Sequence, residues 1–171
     1  ATSDDGSCTF ADTASEYNLS LNSANWGGTS FSIHSNSIVH IDDNYDLACH
    51  DLNIDIEGSI ALIKRGDCQY SLKALNAQNA GASAVIIYNF NSGIMNMGSG
   101  SYSDEVHIPV FAMSGSDGSL LASSLQSVPL YNVVLEHNNL SISVASYDCD
   151  GNCLNDSDSD GICDELEVEG C

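Results

Sequence analysis

The sequence predicts an α+β fold: a mostly β body containing one β-α-β unit, followed by a small cysteine- and aspartate-rich tail. Three observations predict it. Short apolar runs recur through the middle of the chain, separated by Gly, Asn and Ser. One Ala-rich stretch with helical spacing lies between two of those runs. Residues 148–171 hold nine of the 24 acidic residues and four of the seven cysteines, so composition changes sharply near Ser146. We divide the 171 residues into a polar linker (1–16), a globular body (17–146) and an Asp/Cys-rich module (147–171).

The body is taken element by element. Residues 31–41 alternate in part, through Phe31, Ile33, Ile38, Val39 and Ile41, and predict a strand. Residues 59–64 form a short apolar run after Gly58 and predict a buried strand. Residues 70–80 place Leu72 and Leu75 among Ala74, Ala77 and Ala80, which predicts a helix, with Gly81 where a C-cap belongs. Residues 84–88 and 110–113 predict two more strands, the latter following Pro109. Ser114 can cap a helix running through Leu120, Leu121 and Leu125. Residues 133–135 and 142–145 predict the closing strands.

Composition excludes several functions. Three Lys+Arg stand against 24 Asp+Glu, for a formal net charge of −21. So few cations cannot neutralise a row of phosphates, so nucleic-acid binding is not expected. The same repulsion disfavours anionic membranes, and no run of about 18 apolar residues exists to insert into one. Cations, calcium above all, are the expected ligands of such a surface. Cysteines without a Cys-x-x-Cys metal pattern read as disulfides and place the chain outside a reducing cytosol, in an extracellular setting. Because seven is odd, at least one cysteine is free or pairs outside the chain. No Gly-x-Ser-x-Gly elbow or His-Glu-x-x-His motif is present, and the five histidines show no ligand spacing. We therefore expect no catalytic activity.

Several words occur in order: Gly58-Ser-Ile-Ala-Leu-Ile-Lys-Arg-Gly-Asp-Cys68, Lys73, Asn76-Ala-Gln-Asn-Ala-Gly-Ala82, Ala84-Val-Ile-Ile-Tyr-Asn89 and Ile108-Pro-Val-Phe111. Together they make the body resemble the protease-associated (PA) domain. That resemblance implies a barrel-like sheet with flanking helices, a secreted or luminal setting, and a non-catalytic role in binding peptides or regulating access. It also implies a Cys49–Cys68 disulfide. Arg65-Gly66-Asp67 spells an adhesion tripeptide, but the resemblance places it in a strand-to-turn motif. Lys64, Arg65 and Lys73 all lie in this core motif and are expected to satisfy internal carboxylates.

In the tail, Asp156, Asp158, Asp160, Gly161, Ile162 and Glu167 fit the calcium-loop pattern D-x-D-x-D-G-x5-E, with Asp164 inside it. Carboxylates at loop positions one, three and five converge on one cation. Ile162 offers a carbonyl, and Glu167 can chelate with both oxygens. Cys153 and Cys163 depart from an EF-hand, and the segment resembles the cysteine-stapled repeats of thrombospondin type 3. It is also similar to linkers in large secreted Bacteroidetes proteins. Ser3-Asp-Asp-Gly-Ser-Cys8, Asp148-Cys-Asp-Gly-Asn-Cys153 and Asp158-Ser-Asp-Gly-Ile-Cys163 share an acidic-Gly-x-Cys word. Cys149, Cys153 and Cys163 are expected to pair among themselves, and Cys8 and Cys171 are candidates for links between units.

Asn18, Asn139 and Asn155 head Asn-x-Ser glycosylation patterns, and Thr13 lies in a stretch that resembles a Bacteroidetes O-glycosylation signal. The resulting expectation is a non-catalytic structural or adhesive module. The chain reads as an excerpt, one period of a tandem array that self-associates with neighbouring copies into a calcium-stabilised fibre. The alternative is a regulatory or peptide-binding domain of a secreted protease. Calcium is the expected cofactor, and glycans or peptides the other expected ligands.

Overall fold

The computed structural model describes residues 16–29, 32–35, 37–125, 131–136 and 138–144. They form nine strands and two α-helices: β1 Glu16–Ser20, β2 Asn22–Ser23, β3 Ser32–Ser35, β4 Ile38–Ile41, β5 Ile60–Lys64, α1 Tyr70–Asn79, β6 Ala84–Tyr88, β7 Val110–Met113, α2 Gly115–Ser124, β8 Tyr131–Glu136 and β9 Asn139–Val144. The barrel-like sheet implied by the resemblance is resolved as two sheets. One is antiparallel, in the order β1-β9-β8-β3. The other runs β2-β7-β6-β5-β4, with β4 to β7 parallel and β2 antiparallel at the edge.

Strand periodicity divides the core in two. Ile60, Leu62, Ile86, Phe111 and Met113 face the antiparallel sheet, where Val133, Leu135, Leu140 and Ile142 meet them along with Leu121 and Ala122 of α2. The alternate residues Ala61, Ile63, Val85, Ile87 and Ala112 pack on Ala74 and Ala77 of α1. A strand covered on both faces has no polar side, which is why β5, β6 and β7 read as unbroken apolar runs.

The stretch 31–41, expected as one strand, is two strands in different sheets. Between them the Ser35 hydroxyl donates to the Ser37 carbonyl (3.0 Å) and to the Gly58 carbonyl (3.1 Å), turning the chain. The β-α-β unit is present as β5-α1-β6. Gly81, at φ +101°, follows the C-cap Ala80, and Ser114 caps α2 by accepting from the Asp117 N–H at 3.1 Å. Unexpected is a 3-10 segment, Asp43–Ala48, where Asp46, Leu47 and Ala48 all have positive φ. For non-Gly residues this costs about 1–2 kcal/mol each. Side chains of α1 hold the turn: Lys73 Nζ donates to the Leu47 carbonyl (2.5 Å) and Asn76 Nδ2 to the Ala48 carbonyl (2.9 Å).

Candidate functional site

Parallel strands deliver their carboxyl ends to one face of the sheet, the usual place for a site in such architectures. Here β5 ends on Lys64, paired in register with Tyr88 at the end of β6. The chain continues into Arg65 on one side and Asn89 and Phe90 on the other. Two hollows open at this edge. One, of about 330 Å³, is lined by His40, Lys64, Tyr88, Phe90 and Ser119 among others. The other, of about 660 Å³, is lined by Arg65, Cys68, Tyr70, Phe90 and Tyr102 among others. Phe90 lines both and is 65% exposed, which is unusual for an aromatic side chain with no polar handle.

Arg65 is fixed from three directions. Its Nη1 donates to Asn89 Oδ1 (2.8 Å), and its guanidinium lies 5.2 Å from the Phe90 ring centroid and 5.9 Å from that of Tyr70. Asn89, buried, is the hub of the edge. Its Oδ1 also accepts from the Phe90 N–H, and its Nδ2 donates to Asn91 Oδ1 and to the Gly93 carbonyl. In the smaller hollow His40 Nε2 lies 2.9 Å from Tyr88 Oη. Burial lowers the His40 pKa and raises that of Tyr88, each by disfavouring the charged form.

The expectation that all three cations satisfy internal carboxylates fails for two of them. Lys64 does sit 3.7 Å from Asp43 Oδ2. Arg65, however, has no carboxylate within 4 Å among the described residues, and its hydrogen bond goes to a neutral amide. Lys73 is fully buried, bonded to the Leu47 carbonyl and 3.6 Å from Cys49 Sγ. Burial pushes its pKa down to about 8. In a chain of net charge −21, Arg65 is thus a half-buried guanidinium whose hydrogen bond goes to a neutral amide and whose faces lie against two aromatic rings.

Cys49 and Cys68 form a disulfide, with Cα atoms 5.7 Å apart. Asn18 and Asn139 are exposed on the paired strands β1 and β9, where Ser141 Oγ donates to Asn18 Oδ1 at 2.8 Å. The calcium-loop residues Asp156, Asp158, Asp160, Ile162, Asp164 and Glu167 lie outside the described residues, as do Cys8, Cys149, Cys153, Cys163, Cys171, Thr13 and Asn155. Sequence reasoning missed His40, Tyr88, Asn89, Phe90 and Tyr70 as members of one edge. The only signal available was the Asn-Phe pair directly after an apolar strand.

Comparison with known proteins decides the family. The PA domain model matches residues 34–121, just over half of the chain. The chain belongs to the PA domain family. Its relatives carry PA domains within larger proteins. Aminopeptidase YwaD of Bacillus subtilis is 42% identical over 77 residues, which is 45% of this chain but 17% of that protein. The PRADC1-like protein of Drosophila melanogaster is 29% identical over 119 residues, covering 65% of this chain and 61% of that one. Among solved structures, an aminopeptidase from Aneurinibacillus sp. strain AM-1 superposes with a TM-score of 0.55 at 24% identity. That match covers 81% of this chain and 31% of the other, a likeness of fold. The chain thus spans about a fifth or less of the first curated relatives it matches. Among the described residues no helix is long and apolar enough to cross a membrane.

Proposed function

We propose that this PA domain is a non-catalytic, extracellular module that holds a carboxylate-bearing peptide segment at the edge formed by Arg65, Asn89 and Phe90. One observation carries the reading. Of three cations in a strongly acidic chain, the two that reach solvent, Lys64 and Arg65, flank the exposed Phe90. A carboxylate would take the guanidinium bidentately, while an adjacent apolar side chain covers Phe90. The surrounding negative field would repel polyanions and admit a segment with a single carboxylate. The peptidase relatives support a setting in which such a module accompanies a separate catalytic domain. Fluorescence polarisation with a short peptide ending Leu-Phe-COO⁻, against the same peptide amidated, tests this. Binding of the free acid alone, reduced about tenfold or more by Arg65→Ala, is the expected result. Equal binding of both peptides, or none, overturns it.

The tail reading stands beside this as a proposal from sequence pattern. Calcium would be held by Asp156, Asp158, Asp160, Ile162 and Glu167, with Asp164 adjoining, and would stiffen the segment by neutralising its acids. Titration calorimetry on the full chain and an Asp158→Ala variant checks it, and heat that survives the substitution refutes it. The structural or adhesive reading, with copies joined in a fibre, rests on sequence features alone: the repeated acidic-Gly-x-Cys words, the odd cysteine count with Cys8 and Cys171 as candidate links, and the lack of a catalytic motif. Electron microscopy with and without chelator tests it, and single particles in both conditions would refute it.

A further inference from the structure

The Cys49–Cys68 disulfide is flanked by a feature that an inert staple does not need. Lys73 of α1 is fully buried; its ammonium donates to the Leu47 carbonyl at 2.5 Å and lies 3.6 Å from Cys49 Sγ. A buried cation beside one sulfur of a disulfide has little to stabilise while that sulfur is neutral. It has much to stabilise once the sulfur becomes a thiolate. The other sulfur is placed differently: Cys68 lines the larger hollow and is partly exposed. The backbone around both cysteines is under constraint. Asp46, Leu47 and Ala48, directly before Cys49, are left-handed, and so is Asp67, directly before Cys68.

We propose that Cys49–Cys68 is a reducible switch, with Lys73 placed to stabilise the thiolate that forms on Cys49. A dithiol reductant enters through the hollow, and one of its thiolates attacks Cys68 Sγ. The Cys49–Cys68 bond breaks, and its electron pair leaves on Cys49 Sγ as a thiolate facing the Lys73 ammonium. The reductant's second thiol then displaces Cys68 from the mixed disulfide. The reductant ends oxidised, and the two cysteines end reduced. Cys49 is the better leaving group because its thiolate is the stabilised one, which directs attack to the accessible Cys68. Reduction also removes one anchor of the left-handed 46–48 turn. That turn then rests on Lys73 and Asn76, and Lys73 is drawn toward the new thiolate.

Among the described residues the charged groups around this centre are few, and Arg65 lines the same hollow as Cys68. Asp67 acts on Lys73 and favours its charged form. His50 and Asp46 lie 3.4 Å apart, and both are largely exposed. Lys64 and Asp43 form their own exposed pair. Lys73 is therefore the buried charge that bears on Cys49.

The full chain is equilibrated in dithiothreitol redox buffers at pH 7.5, trapped by alkylation and read by mass spectrometry on the peptides carrying Cys49 and Cys68. Wild type should be reduced at about tenfold lower dithiol-to-disulfide ratio than Lys73→Met, a difference of about 30 mV. Coincident curves overturn the proposal. A second measurement needs no variant. The alkylation rate of each cysteine in reduced wild type is followed against pH, alongside its circular dichroism. Cys49 should react with a midpoint below the ordinary thiol value of about 8.5 and below that of Cys68. A Cys49 midpoint equal to or above that of Cys68, or a reduced chain that unfolds, overturns it. If Lys73→Met does not fold, this second measurement decides alone.

Discussion

Gly118 sits inside α2, and replacing it by Ala should destabilise the protein although the same change stabilises most helices. In an ordinary helix interior, Gly→Ala is worth about 1 kcal/mol in favour of Ala. Here a Cβ built on Gly118 would lie 2.2 Å from Tyr88 Cβ, 2.3 Å from Cγ and 2.7 Å from Cδ2. Normal carbon–carbon contact is about 3.5–4.0 Å. The shortfall is therefore more than 1 Å at two atoms, and one of them, Tyr88 Cβ, is fixed to the β6 backbone and cannot be swung aside by a rotamer change. The helix must lift off the sheet, loosening Leu121 and Ala122 from the core, or Tyr88 must shift and lose its 2.9 Å contact with His40. Overpacking of this kind costs about 1–3 kcal/mol, or more where backbone must move. Taking the upper end, about 3 kcal/mol, because backbone must move, and subtracting the propensity gain of about 1, the expected net loss is about 2 kcal/mol. Urea denaturation of Gly118→Ala against wild type measures it, with Gly98→Ala as control because nothing lies within 4 Å of a Cβ there. A Gly118→Ala variant as stable as wild type, or more stable, would refute the close approach of α2 to Tyr88.

Three further outcomes follow from the same structure. Replacing both Cys49 and Cys68 by Ala opens a loop with a sequence separation of 19 and should lower unfolding free energy by about 3 kcal/mol in the chain-entropy model; a midpoint unchanged in urea would contradict it. Asn89→Ala removes four hydrogen bonds, including the one that orients Arg65, and should cost about 2–4 kcal/mol in a chemical melt. His40 is held neutral by burial, so its folded pKa lies below the ordinary value of about 6.5, and the unfolded chain binds the extra proton first. Stability from this group is present above that value and lost as pH falls through it; His40→Gln should flatten that part of a melting-temperature profile between pH 7.5 and 5.5.

How much was legible in the sequence differs from element to element. β5, β6, β7 and α1 were readable because strands buried on both faces are unbroken apolar runs and the Ala-rich helix keeps its period. β1 and β2 were not, since Glu16–Ser20 and Asn22–Ser23 are short, polar edge strands defined by their partners β9 and β7. The left-handed turn at 46–48 was invisible because no Gly marks it, and contacts from α1 impose it. The candidate edge was half legible. Arg65 stood out as one of three cations, but Asn89 and Phe90 gained meaning only once β6 laid them beside it.

By itself, the sequence determined the family, the β-α-β unit and the acidic character set by three cations against 24 acids. These are local or compositional properties, and they survive without knowing which residues meet. Only the tertiary structure decided what each cation does. Lys64 answers Asp43, Arg65 is left without a carboxylate among the described residues, and Lys73 is buried against a disulfide. The physical reason is that a charge's role depends on its neighbours and its access to water. In this fold the deciding neighbours, Asp43 for Lys64, Asn89 for Arg65, and Leu47 and Cys49 for Lys73, come from elements distant in the chain.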